Sequence, residues 1–116
     1  MTHLIIGVYT EAGVTGVWAN LETEAFLLEG VIHRVAAMGA YPFLVKIMAD
    51  DVKIIRPKKL TIFTNDRPLV ESFTRPIQLK FEQFGLIRQL AAYNTWKILY
   101  QENLPKAKEL CQKILK

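Results

Sequence analysis

The sequence predicts a mixed α/β domain, and three observations carry that prediction. Leu4–Thr10 is a run in which every residue but Thr10 is apolar or Gly, rich in β-branched side chains, as in a strand buried on both faces. Thr95–Gln101 alternates Trp96, Ile98 and Tyr100 against Lys97, Leu99 and Gln101, the period-two sign of a strand. Between these runs and after them, apolar residues recur at helical spacing: Phe43, Leu44, Ile47 and Met48, then Ala107, Leu110, Cys111 and Ile114.

Taken in order, Leu4–Thr10 is the first strand and Glu11-Ala12-Gly13 its turn signal, with Val14–Leu21 returning as a partner strand. Ala25–Val35 predicts the third strand of an antiparallel meander. A helix competes there, because Leu27, Leu28, Val31 and Ile32 also match helical spacing. Met38–Pro42 reads as the start of a helix, Pro being tolerated in a first turn, and Arg56-Pro57-Lys58-Lys59 breaks that helix. Lys59–Thr64 is the fourth strand, followed by the turn formers Asn65, Asp66 and Pro68. A short helix over Leu69–Phe73 follows, with Asn65 or Asp66 available to cap it. Residues 77–92 place Leu79, Phe84, Ile87 and Leu90 at helical spacing, and Asn103 is predicted to cap the last helix.

The chain of 116 residues is predicted to be one domain, residues 1–116. Hydrophobic residues make up 51% and mean hydropathy is +0.15, which excludes disorder and fits a well-buried sheet or a self-association surface. No apolar run reaches the roughly 18 residues of a membrane span, and Leu4–Tyr9 lacks the length and basic flank of a signal peptide. The single cysteine, Cys111, fits a reducing cytoplasm. A net charge of +4 and a pI of about 9.3 permit a polyanionic partner.

The order of elements, with Val8-Tyr9-Thr10-Glu11, Thr64-Asn65-Asp66 and Asn103 followed by Ala107-Lys108-Glu109-Leu110, resembles the ribonuclease H-like fold over essentially the whole chain. The resemblance implies a mixed five-stranded sheet, an antiparallel three-strand meander plus parallel strands, with helices on both faces. It also implies in-line phosphodiester hydrolysis between two Mg²⁺ ions, which needs clustered carboxylates because hard dications take oxygen ligands.

Transferred residue by residue, that chemistry is largely missing. Glu11 stands where the first-strand Asp is expected, and its extra methylene moves a ligand by over ~1 Å. No acid occurs between Arg34 and Ala49, where the first helix should supply a Glu. Asn65 replaces the fourth-strand Asp without its charge, and Asp66, if still in the strand, points to the opposite face. Lys108 stands where the closing-helix Asp would be, close enough on this reading to pair with Glu11. The substrate loop after the first strand is short, Ala12–Gly16. Glu11, Asn65, Asp66 and Lys108 are thus the positions of a degenerate metal site, and no metal or other cofactor is expected unless the domain is an Mg²⁺-dependent nuclease.

Other candidates are weaker. His3 and His33 lack zinc-ligand spacing, Cys111 lies on an apolar stripe as a structural thiol, and Ser72, the only serine, has no nucleophile motif. Trp18 and Trp96 in strand patterns read first as core residues. The cations Lys53, Arg56, Lys58, Lys59, Arg67 and Arg75 could neutralise phosphates if they converge. The sequence therefore points to a ribonuclease H-like domain without nuclease activity that binds nucleic acid or self-associates, with no membrane partner. The alternatives are an active nuclease with an altered carboxylate site and a purely structural protein–protein module.

Overall fold

The predicted order of elements holds along the chain. The structure, a computed structural model, describes residues 2–74, 81–93 and 95–115. Strands β1 (His3–Glu11), β2 (Val14–Glu22) and β3 (Leu27–Ala36) form the antiparallel meander. Ala12 and Gly13 make its first turn, both at positive φ (50° and 78°). That two-residue geometry matches the right-handed twist of the strands it joins. Residues 27–36 are a strand because pairing with β2 buries Ile32, while Leu27 and Leu28, which a helical stripe would bury, remain about half exposed.

Helix α1 (Ala40–Ile47) carries Pro42 in its first turn and buries Ala40, Phe43, Leu44 and Ile47, the expected stripe. It widens into a π-helical segment, Met48–Val52, and one further turn, α2 (Lys53–Ile55). Arg56, left-handed at φ 52°, and Pro57 end it. Strand β4 (Lys59–Thr64) lies parallel to β1 and to β5 (Thr95–Tyr100), giving the order β3-β2-β1-β4-β5. Helix α3 (Arg67–Thr74) starts two residues before the prediction. Helix α4 (Phe81–Leu90) buries Leu86 and Leu90; residues 77–80, including Leu79, and the side chains of Phe84 and Ile87 lie outside the described residues.

The last helix corrects the sequence reading. Helix α5 spans Pro105–Leu115, so Leu104, and not Asn103, precedes it. Pro105 takes the first helical position, where its missing N–H costs nothing, and Leu104 is buried against the sheet. Ala107 and Cys111 are buried, whereas Ile114, placed on the same stripe from sequence, is half exposed.

The two sheet faces are covered unequally. Leu4, Ile6, Val8, Val17, Leu60 and Ile62 point to the face under α1 and α4 and are fully buried. The other face is covered by α5, over Tyr9, Val14 and the close approach at Gly16, where a Cβ would overlap the Ala107 carbonyl oxygen. No described helix is long and apolar enough to cross a membrane.

Candidate functional site

The parallel β1–β4 ladder ends with Val8 opposite Thr64, and the next residue is Asn65. Its side chain continues the ladder. Thr10 N–H donates to Asn65 Oδ1 at 2.8 Å, and Asn65 Nδ2 donates to the Thr10 carbonyl at 2.9 Å. The amide offers both an acceptor and a donor there. A carboxylate would accept from the N–H but meet the carbonyl without a proton to give.

Asp66 is equally committed. β4 stops at Thr64, so the strand alternation expected to turn Asp66 to the opposite face does not reach it. It caps α3 by accepting from Leu69 N–H at 3.2 Å, while its own N–H donates to Thr64 Oγ1 at 3.1 Å. On the α1 side of the strand ends, Thr10 and the fully buried Thr15 link their hydroxyls at 3.2 Å, and Thr15 donates to the Met38 carbonyl at 2.6 Å. Neutral hydroxyls thus fill the space between β1 and the start of α1, where the resemblance implies an acid.

Glu11 ends β1 on the α5 side, exposed, and accepts from Tyr9 Oη at 3.3 Å. Lys108 Nζ lies 5.9 Å from the Tyr9 ring centroid. The expected Glu11–Lys108 ion pair does not form; among the described residues the ion pair within 4 Å is Arg34–Asp51 at 2.8 Å. Both groups instead converge on Tyr9. Burial first, and then the Glu11 carboxylate, push the Tyr9 hydroxyl above its ordinary pKa. Burial and the same carboxylate raise the Cys111 thiol, which donates to the Val14 carbonyl at 3.3 Å and is a structural thiol.

Comparison with solved structures identifies the architecture. The chain is similar to the RNase H1 of the halophilic archaeon Halobacterium salinarum NRC-1, with a TM-score of 0.67 and 11% identity over 98% of this chain and 96% of that one. The fold is ribonuclease H-like. LC11-RNase H1, solved in complex with an RNA/DNA hybrid, superposes at a TM-score of 0.64 and 11% identity, each chain covered completely. The N-terminal RNase H domain of a Mycobacterium tuberculosis protein, solved as a fusion with maltose-binding protein, gives 0.60 and 15% over 96% of this chain and 97% of that one. No protein-family model and no curated protein matches the sequence.

The residues at the strand ends do not fit the two-cation cage that a ribonuclease H-like nuclease uses. Asn65 spends its oxygen and Asp66 one of its two on backbone N–H groups, Lys108 brings a positive charge, and Glu11 and Asp66 are the carboxylates among these four positions. Among the described residues no three His, Cys, Asp or Glu side chains converge to hold a metal ion. Two dications a few Å apart need more negative charge than these two carboxylates supply beside Lys108.

The predicted cations divide. Lys53, Arg56, Lys58 and Lys59 lie along one stretch of chain, from the start of α2 to the start of β4, and none is held in an ion pair among the described residues. Their backbone is fixed, since Lys58 and Lys59 N–H both donate to the Thr2 carbonyl, at 3.1 and 2.9 Å. Arg67 lies beyond the other end of β4, roughly 17 Å of strand away, with its guanidinium 4.3 Å from the Tyr100 ring centroid. Arg75 lies outside the described residues.

One feature escaped the sequence reading. Where α5 leaves the sheet uncovered, Gly7 lies opposite Trp18 on one side and Phe63 on the other, forming the floor of a groove of about 230 Å³. Period-two patterning places each residue on a face. The alignment of these three across strands depends on register, which a sequence does not display.

Proposed function

We propose that this chain is a nucleic-acid-binding domain built on a ribonuclease H-like scaffold and without metal-dependent nuclease activity. The observation that carries the loss of activity is the pair of Asn65–Thr10 hydrogen bonds, which turns the position of the fourth-strand ligand into a strand tie. Binding is supported by the unpaired cations Lys53, Arg56, Lys58 and Lys59 on a fixed backbone, by the net charge of +4, and by the hybrid-bound state of LC11-RNase H1. Four phosphate contacts give a salt slope of roughly −3 to −4 in log K against log salt. The single cysteine requires no oxidising compartment, and a cytoplasmic location goes with this reading.

The test is binding of an RNA–DNA hybrid or a single strand at low and moderate salt. Affinity is expected to fall steeply with salt and to drop at least tenfold at fixed salt in the Lys58→Glu/Lys59→Glu double variant. Undetectable binding at low salt overturns the proposal. A second reading, a self-associating module, rests on Phe26, Leu27 and Leu28, each about half exposed at the outer strand β3. Concentration-dependent sedimentation, abolished by Leu28→Lys, is its expected signature.

A further inference from the structure

Across the uncovered half of the sheet, one row of residues runs through all five strands: His33, Trp18, Gly7, Phe63 and Leu99. Adjacent strands are about 4.8 Å apart, so the strand positions of Trp18 and Phe63 are about 10 Å from each other, with Gly7 between them in the sheet. Leu104 and Ala107 of α5 close one end, the would-be Cβ of Gly7 lying 3.4 Å from Leu104 Cδ2. The groove holds about 230 Å³, below the ~300–1,000 Å³ of sites for drug-sized ligands, and so admits one ring system.

The aromatic wall is held in advance. Trp18 Nε1 donates to Asn20 Oδ1 at 3.0 Å, and the same oxygen accepts from Gly30 N–H at 3.0 Å. Gly30 sits at φ 65° in the irregular stretch of β3, and a Cβ there would come within 2.8 Å of the indole ring. A left-handed glycine therefore makes the seat for the ring, and Asn20 fixes both. The other side of the indole has Lys106 Nζ 5.6 Å from its ring centroid. Asn20 Nδ2 and the Asn103 side chain, on the groove wall, donate to nothing among the described residues.

The charge beside the groove is positive. Lys97 lies on the same face in the neighbouring row and Lys106 overhangs the groove, while Lys59 and Glu22 share the far corner and Glu29 lies at the β3 edge. The groove lining itself holds Lys106 and no acid, so a polyanion with flat rings matches both its charge and its shape.

We propose that the open half of the sheet binds single-stranded nucleic acid, one base resting in the groove against Trp18 and Phe63 while Lys97 and Lys106 contact the flanking phosphates. The inference rests on the nucleic-acid-binding reading above and names its substrate class and a second contact surface. Stacking needs an unpaired base, because a base inside a duplex has both faces occupied. Lys106, on an exposed and flexible stem, swings from the indole to a phosphate as the base arrives.

The experiment is titration of the Trp96→Phe protein, in which Trp18 is the only fluorophore of its kind, with a short oligopyrimidine strand and with the corresponding duplex. The single strand is expected to quench Trp18 and to bind more tightly than the duplex. Phe63→Leu, which keeps an apolar side chain but removes the plane, is expected to weaken single-strand binding about tenfold, the loss of one base stack. Lys106→Gln should make the salt slope shallower by roughly 0.7. Single-strand binding that leaves Trp18 emission and the Phe63→Leu affinity unchanged overturns this inference, and retention of the Lys58/Lys59 effect then leaves the broader reading standing. Absence of all polynucleotide binding overturns both. A dimer in sedimentation that Phe63→Leu dissociates also overturns the inference, because the face then belongs to a second copy.

Discussion

At the ends of β1 and β4, polar side chains point at backbone; on the open half of the sheet, they surround space. Asn65, Asp66, Thr10 and Thr15 each bond a main-chain group or one another, and the strand ends are closed by these bonds. Trp18, Phe63, Lys97 and Lys106 lie a few residues away on the same strands or on the adjoining helix, yet their rings and charges face outward. In the proposed reading, the first region holds side-chain ties where a nuclease would hold a cation cage. In the second, the bonds to Asn20 stabilise one wall of a groove that Leu104 and Ala107 close at one end only. A fold can thus keep its architecture while the chemistry of one site is absorbed into stability, because sites and not folds carry activity.

That contrast can be broken by mutation. The largest effect is expected where α5 divides the two regions: Gly16→Ala forces a Cβ into the Ala107 carbonyl and should cost about 3 kcal/mol, read as a lowered denaturant midpoint. Asn65→Ala removes two part-buried hydrogen bonds and should cost about 2 kcal/mol, lowering Tm by roughly 8 °C while leaving single-strand affinity unchanged.

Asn65→Asp is more discriminating. Facing the Thr10 carbonyl, the new carboxyl has a folded-state pKa above its unfolded value of about 3.9. The variant is therefore less stable than wild type at neutral pH and recovers as pH falls through that folded pKa, when the protonated group can donate. Restored Mg²⁺ affinity with undiminished stability at pH 7 would contradict the assignment of Asn65 as a tie.

The smallest effect concerns His3, on the open face, where it shares a 2.7 Å hydrogen bond with Thr61 Oγ1. Burial first, and then Lys59, hold its pKa below the ordinary 6.5. Its contribution is complete above about pH 6.5 and declines as pH falls towards the folded value, because the unfolded chain then binds the proton more readily. His3→Gln should flatten that part of the stability–pH curve.

The sequence made the scaffold readable because β1, β4 and β5 are marked by local patterns, and the helix after β3 by a buried stripe and the Arg56-Pro57 stop. It misplaced the start of α5 by favouring Asn103 over Pro105, although Pro at a first helical position is itself a local signal. The identity of Asn65 was legible as a missing charge. Its role was not, because the partner, Thr10, is 55 residues away and the tie exists only in the parallel register. Register also hid the Trp18–Gly7–Phe63 row, and the length of β4 separated Arg67 from the lysines with which its sequence neighbourhood grouped it.

The most direct measurement is to incubate a labelled RNA–DNA hybrid with the protein in Mg²⁺ and in Mn²⁺, and to read bound and cleaved fractions from the same sample. The expected result is hybrid that is bound at low salt and intact at every time point. Cleavage that requires the metal and disappears in Glu11→Gln would contradict it, because the strand ends would then hold a working site despite the Asn65 tie.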